Sequence, residues 1–207
     1  MLFRSAMKRH AFRFGCTFNP YVYTIEGQTP REVEEYRKRF LEYFNIATPE
    51  AVMNWRSWED PAQGANLARA LDWLREHDIP VIGHPMVWQS PKTLPDRIQQ
   101  LVKERDYANY VLAWNEHLAE KVNAIKGRMC EHLVINEFVD TNFLPEEITD
   151  DAISEWYRIV HRIDPGARLG ILDHRMIGYG AADTERNLPW YEKKIETLLR
   201  RQIPLEI

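Results

Sequence analysis

The sequence contains few of the features that mark membrane, nucleic-acid-binding or nucleotide-binding proteins. No apolar segment approaches the roughly 20 residues that a helix needs to cross a bilayer, and residues 1–10 lack the apolar run of a signal peptide. The net charge is −4, with basic residues scattered among acidic ones, so we expect neither a nucleic-acid nor a membrane partner. Neither G-x-G-x-x-G nor G-x-x-x-x-G-K-[ST] occurs, which disfavours a doubly wound nucleotide-binding sheet.

Cysteine is also scarce. The only two cysteines, Cys16 and Cys130, could pair or stay free. Because both lie beside or inside apolar runs, we expect free, buried thiols. Linkers, repeats and low-complexity segments are absent as well. With 44% apolar and 28% charged residues, the chain has the composition of an ordinary globular protein, and we predict a single domain over residues 1–207.

Strand-like and helix-like segments alternate along the chain. The pattern predicts strands at residues 12–18, 45–48, 79–88, 132–136, 167–172 and 203–207. It predicts helices from Pro30 to about Phe44, with a Thr29–Glu32 capping box, and over residues 65–78, 107–125, 149–163 and 190–201. Such alternation indicates an α/β protein with a parallel sheet covered by helices, either a doubly wound open sheet or a (β/α)8 barrel.

Polar side chains follow four of the predicted strands. They are Glu50 after the second strand, His84 and Trp88 after the third, Asn136 and Glu137 after the fourth, and Asp173 and His174 after the fifth. In a (β/α)8 TIM barrel these residues would converge on one rim, where barrel enzymes build their active sites. We therefore predict such a barrel, of which the chain covers strands one to six and is incomplete.

A carboxylate that meets histidine and tryptophan on a barrel rim suggests carbohydrate chemistry. Glycoside hydrolysis needs a carboxyl group that protonates the leaving oxygen, and indole rings stack on sugar faces. Glu137 would be the acid/base, and Asn136 would bind a sugar hydroxyl. Other interpretations stay open: His84 as a core histidine, the tryptophans as packing residues, and Asp173 as a helix cap or arginine partner. A metal site at His84, His132 and His174 has no supporting H-E-x-x-H spacing.

The sequence resembles the glycoside hydrolase family 10 endo-β-1,4-xylanases. Residues 44–55, FNIATPEAVMNW, are similar to the family's FN..TPEN.MKW; residues 83–91, GHPMVWQSP, to GH.LVWHSQ; and residues 132–137, HLVINE, to WDVVNE. Residues 167–175, ARLGILDHR, stand where the family has A.L..NDYN. The resemblance runs from about residue 7 to residue 207 and implies a barrel that acts on an oligo- or polysaccharide, without a cofactor or metal.

The resemblance also implies individual roles. Glu137 matches the general acid/base, and the expected sugar-binding residues are Glu50, His84, Trp88, Asn136, Asp173 and His174. The chain departs from the family motifs at Ala51, Asn54, Gln89, Pro91 and Leu172. Ala51 cannot hydrogen-bond a sugar, and Asn54 is too short to replace the family's lysine.

The second catalytic carboxylate is expected outside this sequence. The resemblance implies a nucleophilic glutamate after a seventh strand, whereas residues 203–207 match the sixth, so Glu206 is not that nucleophile. A complete barrel usually takes ~250 residues. We expect a fragment of a longer product, with an upstream accessory domain, rather than a natural incomplete barrel. The favoured function is a retaining β-glycoside hydrolase, and the alternative is a non-catalytic carbohydrate-binding barrel or degenerate pseudoenzyme.

Overall fold

The computed structural model describes residues 12–20, 29–49, 52–138, 148–174, 176 and 181–206. The strands in these ranges are β1 (Gly15–Phe18), β2 (Ile46–Pro49), β3 (Ile82–Gly83), β4 (Glu131–Asn136) and β5 (Arg168–Leu172). The helices are α1 (Pro30–Tyr43), α2 (Trp55–Trp58), α3 (Pro61–Glu76), α4 (Asp96–Lys103), α5 (Tyr107–Ile125), α6 (Asp150–Ile163) and α7 (Ala181–Arg200). None of these helices is long and apolar enough to cross a membrane.

The strands pair in parallel and follow one another in chain order. β1 pairs with β2, β3 with β4, and β4 with β5. A bridge between Ala47 and Val81 connects β2 with β3, and a bridge between Leu169 and Leu205 marks the position of the predicted sixth strand. Parallel strands that remain in sequential order, each followed by a helix, are the pattern of a (β/α) barrel.

Local sequence signals explain the helix boundaries. Thr29 caps α1, where its side chain accepts a hydrogen bond from the Glu32 amide and the Glu32 side chain accepts one from the Thr29 amide, as the capping box predicts. Asp60 caps α3, which begins at Pro61 and therefore starts earlier than predicted. Beyond α5, Gly127 adopts φ +72°, a conformation that glycine tolerates best.

The core lies between the sheet and the helices. Phe18 of β1 packs against both Phe40 of α1 and Trp73 of α3. Trp114 of α5 contacts Trp156 of α6, and both indoles are buried against the sheet. Each of these aromatic side chains buries a large apolar area and so contributes to the hydrophobic stabilisation.

The structure also corrects the predictions for the third strand and for the cysteines. The third strand, predicted over 79–88, forms a ladder only at β3, because the chain leaves the ladder after Gly83 and regains β4 at a bridge between Val87 and Ile135. Both cysteines are free, but neither is buried, since Cys16 is exposed and Cys130 is half-buried. Of the apolar residues around Cys16 that suggested burial, only Phe18 is buried, whereas Phe12 and Phe14 are themselves exposed.

Candidate active site

The carboxyl end of β4 carries the predicted catalytic residue. The amide of Asn136 donates to the Val87 carbonyl at 3.1 Å, and the amide of Glu137 donates to the Leu172 carbonyl at 3.0 Å, so hydrogen bonds from both sides hold this end of the strand. Glu137 itself has φ +56°, a left-handed conformation that costs about 1–2 kcal/mol for a residue other than glycine. Strain of this kind is concentrated at functional sites.

His174 lies beside Glu137. The His174 Nδ1 atom is 3.3 Å from Glu137 Oε1, and the two side chains are 33% and 27% exposed. The backbone amide of His174 donates to Asp173 Oδ1 at 2.9 Å. The ends of β4 and β5 therefore bring a carboxylate and an imidazole together at a surface that solvent reaches, as the sequence predicts for residues on one rim.

His84 is the third ionisable group of this cluster. Burial lowers its pKa below the ordinary value of 6.5, the Glu137 carboxylate acts in the opposite direction, and the Lys121 ammonium adds to the lowering. The ring is half-buried, and its Nδ1 atom has no hydrogen-bond partner among the described residues. His84 thus combines an unpaired ring nitrogen with a charge interaction with Glu137.

Other buried polar atoms near the ends of β3 and β4 also lack partners within the described ranges. They are Trp88 Nε1, both amide heteroatoms of Gln89, and Asn136 Oδ1. Gln89 and Asn136 are almost completely buried. Donors and acceptors gathered in this way suit a ligand that is rich in hydroxyl groups, since each hydroxyl can both donate and accept.

The fifth-strand position contributes a second carboxylate. Asp173 follows β5, is half-buried, and faces Tyr191 of α7 closely enough that its charge, after burial, raises the pKa of the Tyr191 phenol. The Tyr191 hydroxyl donates to the Ile171 carbonyl at 3.2 Å. Asp173 thus stands at the edge of the cluster, next to His174, with α7 behind it.

The structure describes only part of the second motif. Glu50 and the neighbouring Ala51 lie outside the described residues. Asn54 caps α2, where its side chain accepts a hydrogen bond from the Ser57 amide at 3.0 Å. A capping role fixes Asn54 in the protein and prevents it from acting as the sugar-binding lysine that it replaces in the family motif.

Sequence reasoning missed two polar residues of this region. Gln89 was noted only as a departure from the family motif, and Lys121 was not noted at all. Lys121 is 1% exposed, and it lies three residues after Leu118 and four before Ile125, both on the apolar stripe of α5. Helical periodicity places it on the buried face, which was the available signal.

The three histidines of the metal hypothesis do not meet. His132 is buried, and its Nε2 atom lies 3.0 Å from Asp164 Oδ2. Among the described residues no group of three histidine, cysteine or acidic side chains could hold a metal ion. The pair with Asp164 gives His132 a structural partner instead.

Residues 4–206 match the model of the family described as Glycosyl hydrolase family 10. The chain belongs to glycosyl hydrolase family 10. The predicted resemblance is therefore confirmed, and the family implies a (β/α)8 barrel, of which the described strands form a part.

Relatives within family 10 include plant xylanases. The chain is 24% identical over 172 residues to Endo-1,4-beta-xylanase 5-like of Arabidopsis thaliana, covering 82% of this chain and 28% of that protein. It is 27% identical over 147 residues to Endo-1,4-beta-xylanase 1 of the same plant, covering 69% of this chain and 15% of that protein. The chain thus spans less than a third of the length of these relatives.

Solved family 10 structures share the fold. Native xylanase 10B of Thermotoga maritima superposes with a TM-score of 0.77 at 21% identity, covering 99% of this chain and 61% of that one. Xylanase 10B of Thermotoga petrophila, solved in complex with xylobiose, gives 0.75 at 20% identity, covering 98% and 61%. At this level of identity the likeness supports the barrel fold alone.

Proposed function

We propose that this family 10 chain is part of a retaining β-glycoside hydrolase that acts on a β-1,4-linked plant polysaccharide such as xylan, with Glu137 as the general acid/base. One observation carries the proposal: the strained, solvent-accessible Glu137 lies 3.3 Å from His174 at the carboxyl end of β4. The family membership and the xylobiose complex of a structural neighbour support the choice of substrate.

The mechanism assigns two tasks to Glu137. Its carboxyl group first protonates the glycosidic oxygen while a second carboxylate attacks the anomeric carbon and the glycosidic bond breaks. The resulting carboxylate of Glu137 then removes a proton from water, which attacks the glycosyl-enzyme and releases the sugar. We propose that the second carboxylate is a glutamate after a later strand, outside these 207 residues, because the chain covers 61% of the Thermotoga maritima enzyme.

The surrounding residues are proposed to hold the sugar. Asn136 Oδ1, Trp88 Nε1 and His84 Nδ1 are buried polar atoms without a partner in the described part of the chain, so they can hydrogen-bond sugar hydroxyls. Asp173 and His174 are proposed to bind the sugar from the β5 side, and Glu50 from the β2 side. No step of this mechanism requires a cofactor.

The experiment compares Glu137→Ala with Glu131→Ala, a control at the opposite end of β4, in the protein extended through the missing strands. We expect Glu137→Ala to slow xylan hydrolysis by about 10²–10⁴-fold. An aryl β-xyloside with a dinitrophenolate leaving group needs no proton for that group to depart, so Glu137→Ala should slow the first step of its cleavage much less. Azide should accelerate turnover by this variant. Equal xylan rates in Glu137→Ala and Glu131→Ala would refute the assignment.

A carbohydrate-binding barrel without catalysis is the second candidate. The capping role of Asn54 favours it, because a side chain committed to the Ser57 amide cannot reach a sugar as a lysine would. Titration with xylo-oligosaccharides separates the two functions. If the protein only binds carbohydrate, Glu137→Ala keeps the wild-type affinity for xylo-oligosaccharides. The protein extended through the missing strands then hydrolyses none of them.

A further inference from the structure

Lys121 is a buried cation with an unusual set of partners. Its ammonium group donates to the backbone carbonyls of Met53 at 2.7 Å, Met86 at 2.8 Å and Pro85 at 3.4 Å. The Trp58 ring lies 5.9 Å from the same nitrogen. An ammonium has three N–H donors, so each donor has one of these carbonyls as its acceptor.

Stability alone does not account for a lysine at this position. Lys121 is 1% exposed, and burying an ammonium group is costly even when it is hydrogen-bonded. The neighbouring positions on the same face of α5, Leu118 and Val122, are apolar and completely buried. An apolar residue at position 121 would continue that face, so the lysine is distinguished by its three carbonyl contacts.

The acceptors belong to two different segments that enter the candidate site. Met53 follows β2 and stands three residues after Glu50 in the sequence. Pro85 and Met86 immediately follow His84, in the part of the chain that leaves the ladder after β3. One side chain of helix α5 therefore contacts both segments.

We propose that Lys121 is a positioning residue of the sugar site, which clamps the Met53 and Pro85–Met86 segments so that His84 stays beside Glu137. The proposal rests on the proposed function, because it assumes that His84 contacts the sugar. Lys121 does not touch the substrate itself. The lysine and the Glu137 carboxylate act on His84 from the protein interior and from the site, respectively.

Lys121→Met tests the clamp, with Lys103→Met at an exposed lysine of α4 as the matched control. We expect the folded Lys121→Met chain to bind xylo-oligosaccharides at least 10-fold more weakly and to show a shifted His84 ring signal by NMR. Lys103→Met should change neither. A purely structural lysine would lower the unfolding temperature of Lys121→Met and leave affinity and the His84 signal of the folded molecules unchanged, which would overturn the proposal.

The wild-type chain provides a second measurement that does not depend on a variant. Burial lowers the pKa of Lys121 to about 7, and a neutral amine can serve only two of the three carbonyls. The titratable groups that face it are His84 after β3, His117 on α5 and His132 on β4, and burial lowers the pKa of each below 6.5. A shared transition of both carbonyls above that value therefore does not come from these histidines.

The carbonyl ¹³C signals of Met53 and Met86 should move together with one midpoint when the pH is raised from 5 to 10.5. If the two carbonyl signals move with different midpoints, or do not move, the two segments share no donor and the clamp proposal is overturned. Failure of the wild-type chain to bind xylo-oligosaccharides would instead contradict the proposed function, because these signals and the His84 ring report on the clamp without a ligand.

Discussion

Glu137 combines a left-handed backbone with a carboxylate that two histidines approach. The Leu172 carbonyl holds its amide, and His174 lies 3.3 Å from its side chain. The conformation directs a charged group out of a strand that is otherwise mostly buried. A residue with ordinary strand dihedral angles at this position would continue the pleat of β4. The left-handed conformation of Glu137 therefore determines where its carboxylate lies.

Glu137→Gln should lower the pKa of His84 further. The Glu137 charge favours the protonated imidazole and partly offsets burial, so its removal leaves burial and the Lys121 charge to act alone. Between pH 5 and 6.5 the neutral fraction of His84 should therefore increase. NMR titration of the histidine ring signals measures this pKa. Glu131→Gln, at the other end of β4, is the control and should leave it unchanged; an unchanged pKa in Glu137→Gln would show that the two groups are not neighbours.

At the same scale, the sequence predicts part of the site. Glu137, Asp173 and His174 could be proposed because each is polar and directly follows an apolar strand, and Asn136 because it is the polar last residue of one. Lys121 could not be found by that rule, because it comes from a helix and reaches the site through backbone carbonyls. Which carbonyls need a donor depends on how the β2 and β3 segments depart from the ladder, and no residue pattern encodes that departure.

At the scale of elements, strong periodicity was the most reliable guide. The helices at 107–125 and 149–163 were predicted to within one residue of α5 and α6. The helix α7 begins at Ala181 and contains Pro189, so the helix predicted over residues 190–201 began nine residues too late. The helix α2 was missed because it has only four residues, and α4 was missed because it follows a proline-marked loop, although Ile98, Leu101 and Val102 recur at helical spacing.

Two glycine-to-alanine substitutions should have opposite effects on stability. A Cβ on Gly83 would lie 2.6 Å from His132 Nδ1. Because Asp164 holds the His132 imidazole in place, the β3–β4 pairing beside His84 must shift to make room. We expect Gly83→Ala to lower the free energy of unfolding by about 1–3 kcal/mol, as overpacking does. Gly64 lies in α3 with no atom within 4 Å of its Cβ position, and Gly64→Ala should raise stability by up to about 1 kcal/mol.

Urea denaturation of both variants measures the difference. A Gly83→Ala chain as stable as the wild type would mean that His132 is free to move, and the β3–β4 contact would then not be the rigid support of the His84 segment that the structure indicates.

At the scale of the molecule, the sheet has open sides. β1 pairs with β2, and none of the described residues pairs with its other edge. Nearby, Phe12 and Phe14 are 73% and 47% exposed. An unpaired strand edge flanked by exposed aromatic residues is a template for association with another chain.

The 207-residue chain, studied alone, should therefore associate as its concentration rises. Thr17→Lys places a charge on the exposed edge of β1 and should reduce association, because charged edge strands resist pairing. Leu112→Lys is the control, since Leu112 is 52% exposed on α5 and replacing it changes the net charge equally. Sedimentation velocity over a concentration series measures the effect. A chain that stays monomeric at every concentration and unfolds sharply at high temperature would show that the β1 edge is already protected.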